Sequence, residues 1–115
     1  MKRCLECDFR FVSDDYLCPS CGNEPLEEQG VIQFAPKLND TVEGFNPRAF
    51  EKLFESEESS FWFQSRNNLI LWSIEQYFPD TKKFLEIGCG TGFVLSAVRS
   101  RFKAMECAGS ELHAS

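Results

Sequence analysis

Two sets of residues in this 115-residue chain have types and spacings suited to chemistry. The first is four cysteines, Cys4-x-x-Cys7 and Cys18-x-x-Cys21, with ten residues between the pairs. Each C-x-x-C places two sulfurs on one tight turn. Two such turns facing each other make the tetrahedron that Zn²⁺ prefers, with Zn–S about 2.3 Å. Four protein ligands leave no open position, so a zinc held this way is structural and not catalytic. Pro19 stiffens the second knuckle and Gly22 relieves the backbone after it. Two disulfides or a redox C-x-x-C would use the same spacing. Met1-Lys2-Arg3 runs into Cys4, Glu6, Cys7 and Asp8 instead of an apolar stretch, so no secretory signal is read. A reducing, cytoplasmic location then favours metal over disulfide.

The second set is Phe84-Leu85-Glu86-Ile87-Gly88-Cys89-Gly90-Thr91-Gly92, followed by Glu111. Phe84, Leu85 and Ile87 read as a buried strand carrying one acid, Glu86. The three glycines allow a tight turn and let a ligand approach the main chain. Phe93, Val94, Ala97, Val98 and Phe102 then recur at helical spacing. Strand, glycine turn and helix open a nucleotide-binding α/β unit, in which the helix N-terminus offers free N–H groups to an anionic group. A dinucleotide turn, G-x-G-x-x-G, would need a third glycine where Phe93 stands. A carboxylate two residues before the first glycine would repel a pyrophosphate and suit a cationic ligand. Residues 105–111 read as a second strand ending at Glu111, 23 residues after Gly88. That is near the spacing of the acid that accepts ribose hydroxyls. Glu111 as a solvated strand end is the plainer alternative.

Glu86-x-Gly88-x-Gly90-x-Gly92 resembles the first motif of the class I S-adenosylmethionine-dependent methyltransferases, acid-x-G-x-G-x-G. The resemblance implies that Gly88, Cys89, Gly90, Thr91 and Gly92 lie along the methionine half of the cofactor. It also implies that Leu112, following Glu111, packs on the adenine. Phe61-Trp62-Phe63 with Arg66 resembles a segment preceding that motif in many small-molecule methyltransferases, where an N-terminal helix lies over the cofactor. By that likeness Arg66 pairs with the methionine carboxylate and an aromatic walls the pocket. Alternatively the aromatics pack a core and Arg66 makes a surface ion pair. The implied reaction is methyl transfer from the sulfonium to an O, N or C nucleophile, with no catalytic residue assignable.

The elements that must position these groups follow from pattern. Phe9, Phe11 and Val12 read as a strand of a small hairpin between the knuckles, with Ser13-Asp14-Asp15 as its turn. Residues 30–36 read as one short strand ended by Pro36. Residues 37–46 carry turn signals at Asn39-Asp40 and Gly44. Asn46-Pro47 opens a helix with Phe50, Leu53 and Phe54 on one side, and its acidic end, Glu55 to Glu58, reads as solvated. Ser59 or Ser60 caps a second helix that Pro79 stops. Its face of Phe63, Ile70, Ile74 and Phe78 is expected to pack against the sheet. Cys89 and Cys107 are expected to pack, not to ligate. His113 is either a surface residue or a base beside Glu111.

The expected organisation is therefore α/β: a zinc ribbon over residues 1–30, a linker with a short strand and helix over 31–58, and the first β-α-β of a Rossmann-like methyltransferase sheet over 59–115. A doubly wound sheet needs several more strands, so the N-terminal part of a longer protein or a truncated gene product, inactive alone, is expected. Net charge is −6. Three basic against seven acidic side chains leave residues 1–30 at −4, and four thiolates around a dication add to this. A nucleic-acid face is thus disfavoured, RNA included. A small-molecule, glycan or lipid acceptor is the expected partner. No apolar run reaches membrane-spanning length. A non-catalytic zinc-ribbon interaction module with an incomplete Rossmann piece is the competing function.

Overall fold

A computed structural model describes residues 1–38 and 47–112, with residues 37 and 47–50 described by their backbone alone. The readings at Asn39-Asp40, Gly44, Asn46, the Phe50 side chain and His113 lie outside the described residues. The chain divides into two compact units, Met1–Asp40 and Thr41–Ser115.

In the first unit, β1 (Lys2–Arg3) pairs antiparallel with β2 (Arg10–Phe11), Lys2 opposite Phe11. The hairpin therefore encloses the first knuckle, whereas the sequence placed a hairpin between the two knuckles. Beyond β2, Ser13 makes the expected turn: its Oγ donates to Asp15 Oδ1 at 2.6 Å and accepts from the Asp15 amide at 3.3 Å. A second hairpin joins β3 (Leu26–Glu28) to β4 (Val31–Gln33), Glu28 opposite Val31. Its two turn residues, Gln29 (φ 51°) and Gly30 (φ 81°), are both left-handed. Primed two-residue turns need that backbone, because it matches the twist of the strands. A 3₁₀ turn, Pro36–Leu38, follows. The buried apolar side chains here are Cys4, Phe11 and Cys18.

The second unit holds α1 (Pro47–Glu57), α2 (Phe61–Tyr77), β5 (Lys83–Ile87), α3 (Phe93–Arg101) and β6 (Glu106–Ser110). Pro47 stands at the first helical position, where its missing N–H costs nothing. Ser60 is the N-cap of α2, without a side-chain cap bond. The helix ends at Tyr77, two residues before Pro79, and the Phe78 amide closes it on the Ile74 carbonyl at 2.9 Å. β5 and β6 run parallel with Lys83 opposite Glu106 and Ile87 opposite Ser110. The core is Ile74, Val94, Val98 and Met105, ringed by Ile70, Leu71, Phe84, Phe102 and Cys107. The inward face of α2 thus runs Asn67, Ile70, Leu71, Ile74, the i, i+3, i+4, i+7 pattern. Phe78, expected on that face, is exposed past the helix end, and Phe61 and Trp62 are exposed at the helix start.

The whole is mixed α/β, with three two-stranded sheets among the described residues. No described helix is long and apolar enough to cross a membrane.

Candidate functional site

The four cysteines of the first unit come together. Their sulfurs all lie within 4.8 Å of one another, with Cys4–Cys21 and Cys7–Cys18 at 3.6 Å. A tetrahedron with Zn–S near 2.3 Å has edges of roughly 3.8 Å, so the donor set fits that ion. The two knuckles share one hydrogen-bond pattern. Asp8 N–H donates to the Cys4 carbonyl at 3.1 Å and Gly22 N–H to the Cys18 carbonyl at 2.9 Å. Cys4 N–H donates to Phe9 and Cys18 N–H to Asn23, both at 2.9 Å. After each second cysteine stands a left-handed residue, Asp8 (φ 61°) or Gly22 (φ 73°). The backbone turns each knuckle's amides toward its sulfurs. Hydrogen bonding from the Cys7 amide, with a smaller share from Glu6, brings the Cys4 thiol down to about 7 despite burial. The Asn23 amide acts the same way on Cys21. There the thiols of Cys7, Cys4 and Cys18, with burial, outweigh it and push the group up to about 12. Cys4 and Cys21 are thus driven in opposite directions, and a bound dication would remove that conflict.

In the second unit, the glycine turn leaves β5 and folds onto the end of β6. Gly88 N–H and Cys89 N–H both donate to the Ser110 carbonyl, at 2.7 and 3.0 Å. Gly88, Gly90 and Gly92 have φ of 71°, 54° and 78°. Those values are strained for other residues, so the turn itself demands the glycines. A Cβ built at Gly88 or Gly92 would meet nothing within 4 Å, so the space along the turn is open. Glu111, just past β6, reaches back across it. Gly90 N–H donates to Glu111 Oε2 at 2.8 Å, and Leu112 N–H to Oε1 at 2.7 Å. The two separated motifs thus meet at one atom pair, and Leu112 is exposed beside them.

Glu86 lies elsewhere than an open cleft would require. It shares the helix-covered face of β5 with Phe84, and its Oε2 is buried without a partner. Burial raises its pKa, while the Arg66 charge and the Leu95 amide act the other way. Its carboxylate therefore lies under the first turn of α3, not along the open side of the glycines. Arg66 sits with its guanidinium 5.1 Å from the Phe63 ring, and Phe63 packs edge-on to Phe93 at 6.3 Å. This links α2 to the start of α3. Cys89 is turned onto Gly109, and burial first, then the charges of Glu86 and Glu111, push its thiol up.

Three residues at this site went unread in the sequence. Glu57, taken as part of a solvated acidic end, is only 4 % exposed and accepts a hydrogen bond from Thr91 Oγ1 at 2.6 Å. Asn67, 7 % exposed, donates from Nδ2 to the Phe93 carbonyl at 3.3 Å. Gly109 has no room for a side chain: a Cβ there would stand 2.8 Å from Leu95 Cδ2 and 2.9 Å from Cys89 Sγ. For Asn67 the signal was available, since it stands at i−3, i−4 and i−7 from Ile70, Leu71 and Ile74. Glu57 and Gly109 depend on contacts 34 and about 20 residues away, which local pattern does not carry.

No protein-family model, no curated protein and no solved structure matches this chain.

Proposed function

We propose that the second unit is the cofactor-binding start of an S-adenosylmethionine-dependent methyltransferase, and that the four cysteines hold a structural Zn²⁺. The observation that carries the reading is the Gly90–Glu111 hydrogen bond at 2.8 Å. The Gly90 amide draws the Glu111 carboxylate onto the glycine turn, beside the open space that a methionine arm would fill. The acid it holds stands at the end of the next strand, where ribose hydroxyls would be accepted. Glu57 and Glu111 both bond to the turn, which suits a ligand bearing positive charge. When bound, the sulfonium supplies an activated methyl group. The residues of the chain bind and orient: Gly88, Gly90 and Gly92 leave room for the methionine half, Glu111 receives the sugar and Leu112 covers the base. Arg66, now 5.1 Å over Phe63, is the nearby cation for the methionine carboxylate. Rate enhancement of such a transfer rests on alignment and on exclusion of water. The acceptor is a small molecule, glycan or lipid in this reading, since the net charge of −6 opposes RNA.

The test is a titration of the ¹⁵N-labelled chain with S-adenosylmethionine, with zinc measured on the same sample. Expected are one zinc per chain and shifts centred on the amides of residues 88–92 and 111–112. Gly90→Val should remove those shifts while leaving the zinc content unchanged. Unmoved amides at millimolar ligand would defeat the cofactor reading, and a zinc-free folded first unit would defeat the metal reading.

A further inference from the structure

Glu57 is a carboxylate that folding has placed where carboxylates are expensive. It is 4 % exposed, at the last position of α1. Burial of a carboxylate is tolerated when its lone pairs are met. Here one oxygen is met: Thr91 Oγ1 donates to Oε2 at 2.6 Å. The other oxygen, Oε1, has no hydrogen-bond partner among the described residues, and unlike Glu86 Oε2 it is not sealed in. The residue that holds it, Thr91, lies between Gly90 and Gly92, inside the turn whose Gly90 amide holds the Glu111 carboxylate. A half-satisfied carboxylate fixed to the glycine turn is complementary to a cationic group laid along that turn.

We propose that Glu57 is a ligand-binding residue whose free oxygen receives the α-ammonium group of an amino-acid arm laid along the glycine turn. This rests on the reading of the turn as an S-adenosylmethionine site, and it adds the recognition of the amine. Arg66 takes the carboxylate end in that reading, Glu57 takes the ammonium end, and Thr91 keeps Glu57 in place. A charge-assisted hydrogen bond of this kind discriminates by about tenfold or more against a ligand that lacks the donor.

Three ligands separate this from a merely structural role. S-adenosylmethionine carries the amino-acid arm, its α-deaminated analogue lacks only the amine, and 5′-methylthioadenosine lacks the arm's amine and carboxylate together. The intact wild-type chain should bind S-adenosylmethionine about tenfold more tightly than the deaminated analogue, a comparison that needs no variant. Glu57→Gln should erase that preference and leave 5′-methylthioadenosine affinity within about twofold. Thr91→Val should reduce the preference in part. Equal wild-type affinity for the amine and its deaminated analogue overturns the proposal, as does a Glu57→Gln variant that weakens all three ligands alike. Failure of the wild-type chain to bind any of the three overturns the cofactor reading and this assignment with it. Binding without amine discrimination overturns this assignment alone.

Discussion

Among the described residues, the buried apolar side chains of Met1–Asp40 are Cys4, Phe11 and Cys18, and two of the three are candidate metal ligands. In Thr41–Ser115 they are Ile74, Val94, Val98 and Met105, and none belongs to the glycine turn. The first unit has merged its core with its chemistry, since Val12 (87 % exposed) and Leu26 (69 %) stay outside. So few apolar groups offset little of the chain entropy of ordering about 40 residues, and a metal held by the four cysteines would supply the difference. The second unit keeps the two apart. Its core fixes two parallel strands, and the turn at their carboxyl ends is free to be strained and open.

Metal removal should break this comparison most visibly. Apparent folding energies from a Cys₄-type zinc site are on the order of 10 kcal/mol. Excess chelator is expected to collapse the amide spectrum of residues 1–38 and leave that of residues 61–112 dispersed. Cys21→Ser should do the same without chelator. A first unit that keeps its dispersion without metal would mean that its core is larger than three side chains.

The mirror experiment acts on the other unit. Val98 is 0 % exposed, and Val98→Ala removes two methyl groups and leaves a cavity, a loss of roughly 2 kcal/mol. Urea unfolding followed on residues 61–112 should shift by that amount, with zinc affinity unmoved. Gly109→Ala tests packing from the opposite side, by insertion. The added Cβ meets Leu95 Cδ2 at 2.8 Å and Cys89 Sγ at 2.9 Å. The Leu95 tip can turn away but Cys89 belongs to the turn, so about 1–2 kcal/mol is expected. Faster alkylation of Cys89 should accompany it, because the displaced thiol loses its cover.

A smaller effect separates stability from binding within the second unit. Burial raises the Glu86 pKa, against the pull of Arg66 and the Leu95 amide. The folded state therefore holds this proton more tightly than the unfolded state does. Stability is lost as pH rises from the unfolded value, near 4.5, through the higher folded one. Glu86→Gln should remove that decline. Urea midpoints of variant and wild type should converge in acid and separate toward neutral pH, with the variant the more stable. A wild type that gains on the variant as pH rises would reverse the sign and place the carboxylate in a satisfied environment.

How much of this was legible follows from the same division. The cluster of four cysteines was readable because C-x-x-C is a local geometry: each knuckle is closed by its own backbone, Cys4 to Asp8 and Cys18 to Gly22. The strand, turn and helix from Phe84 to Arg101 were readable for the same reason, their periods being continuous in sequence, although Leu85 and Ile87, expected to be buried, are exposed. Leu26–Glu28 was not, since three exposed residues have no alternation to show, and the Gln29-Gly30 turn was its only local sign. Glu57 was not, because an acid beside Glu55 and Glu58 looks solvated until Thr91, 34 residues on, is placed against it. Glu86 was identified but its direction was not. Which face of a strand a helix covers is decided by α2 and α3 together, and no property of the strand alone states it.

The finest comparison lies between the two knuckles. They share hydrogen bonds, yet the left-handed position is Gly22 in one and Asp8 in the other. A left-handed backbone costs a residue with a Cβ about 1 kcal/mol, less for Asp, so Asp8→Gly should gain several tenths. Against this, Asp8 is bonded by Arg3, at 2.9 Å from Nε and 2.6 Å from NH2, on an exposed surface where such a pair contributes a similar few tenths. The two terms oppose, and in the wild-type background Asp8→Gly is expected to leave zinc affinity nearly unchanged. With Arg3→Ala already in place the pair is gone, and the same substitution should strengthen zinc binding by about two- to fivefold in competition with a chelator. If Asp8→Gly gains nothing in that background, the strain is not in the backbone of this knuckle. The two turns would then be equivalent in energy as well as in hydrogen bonding.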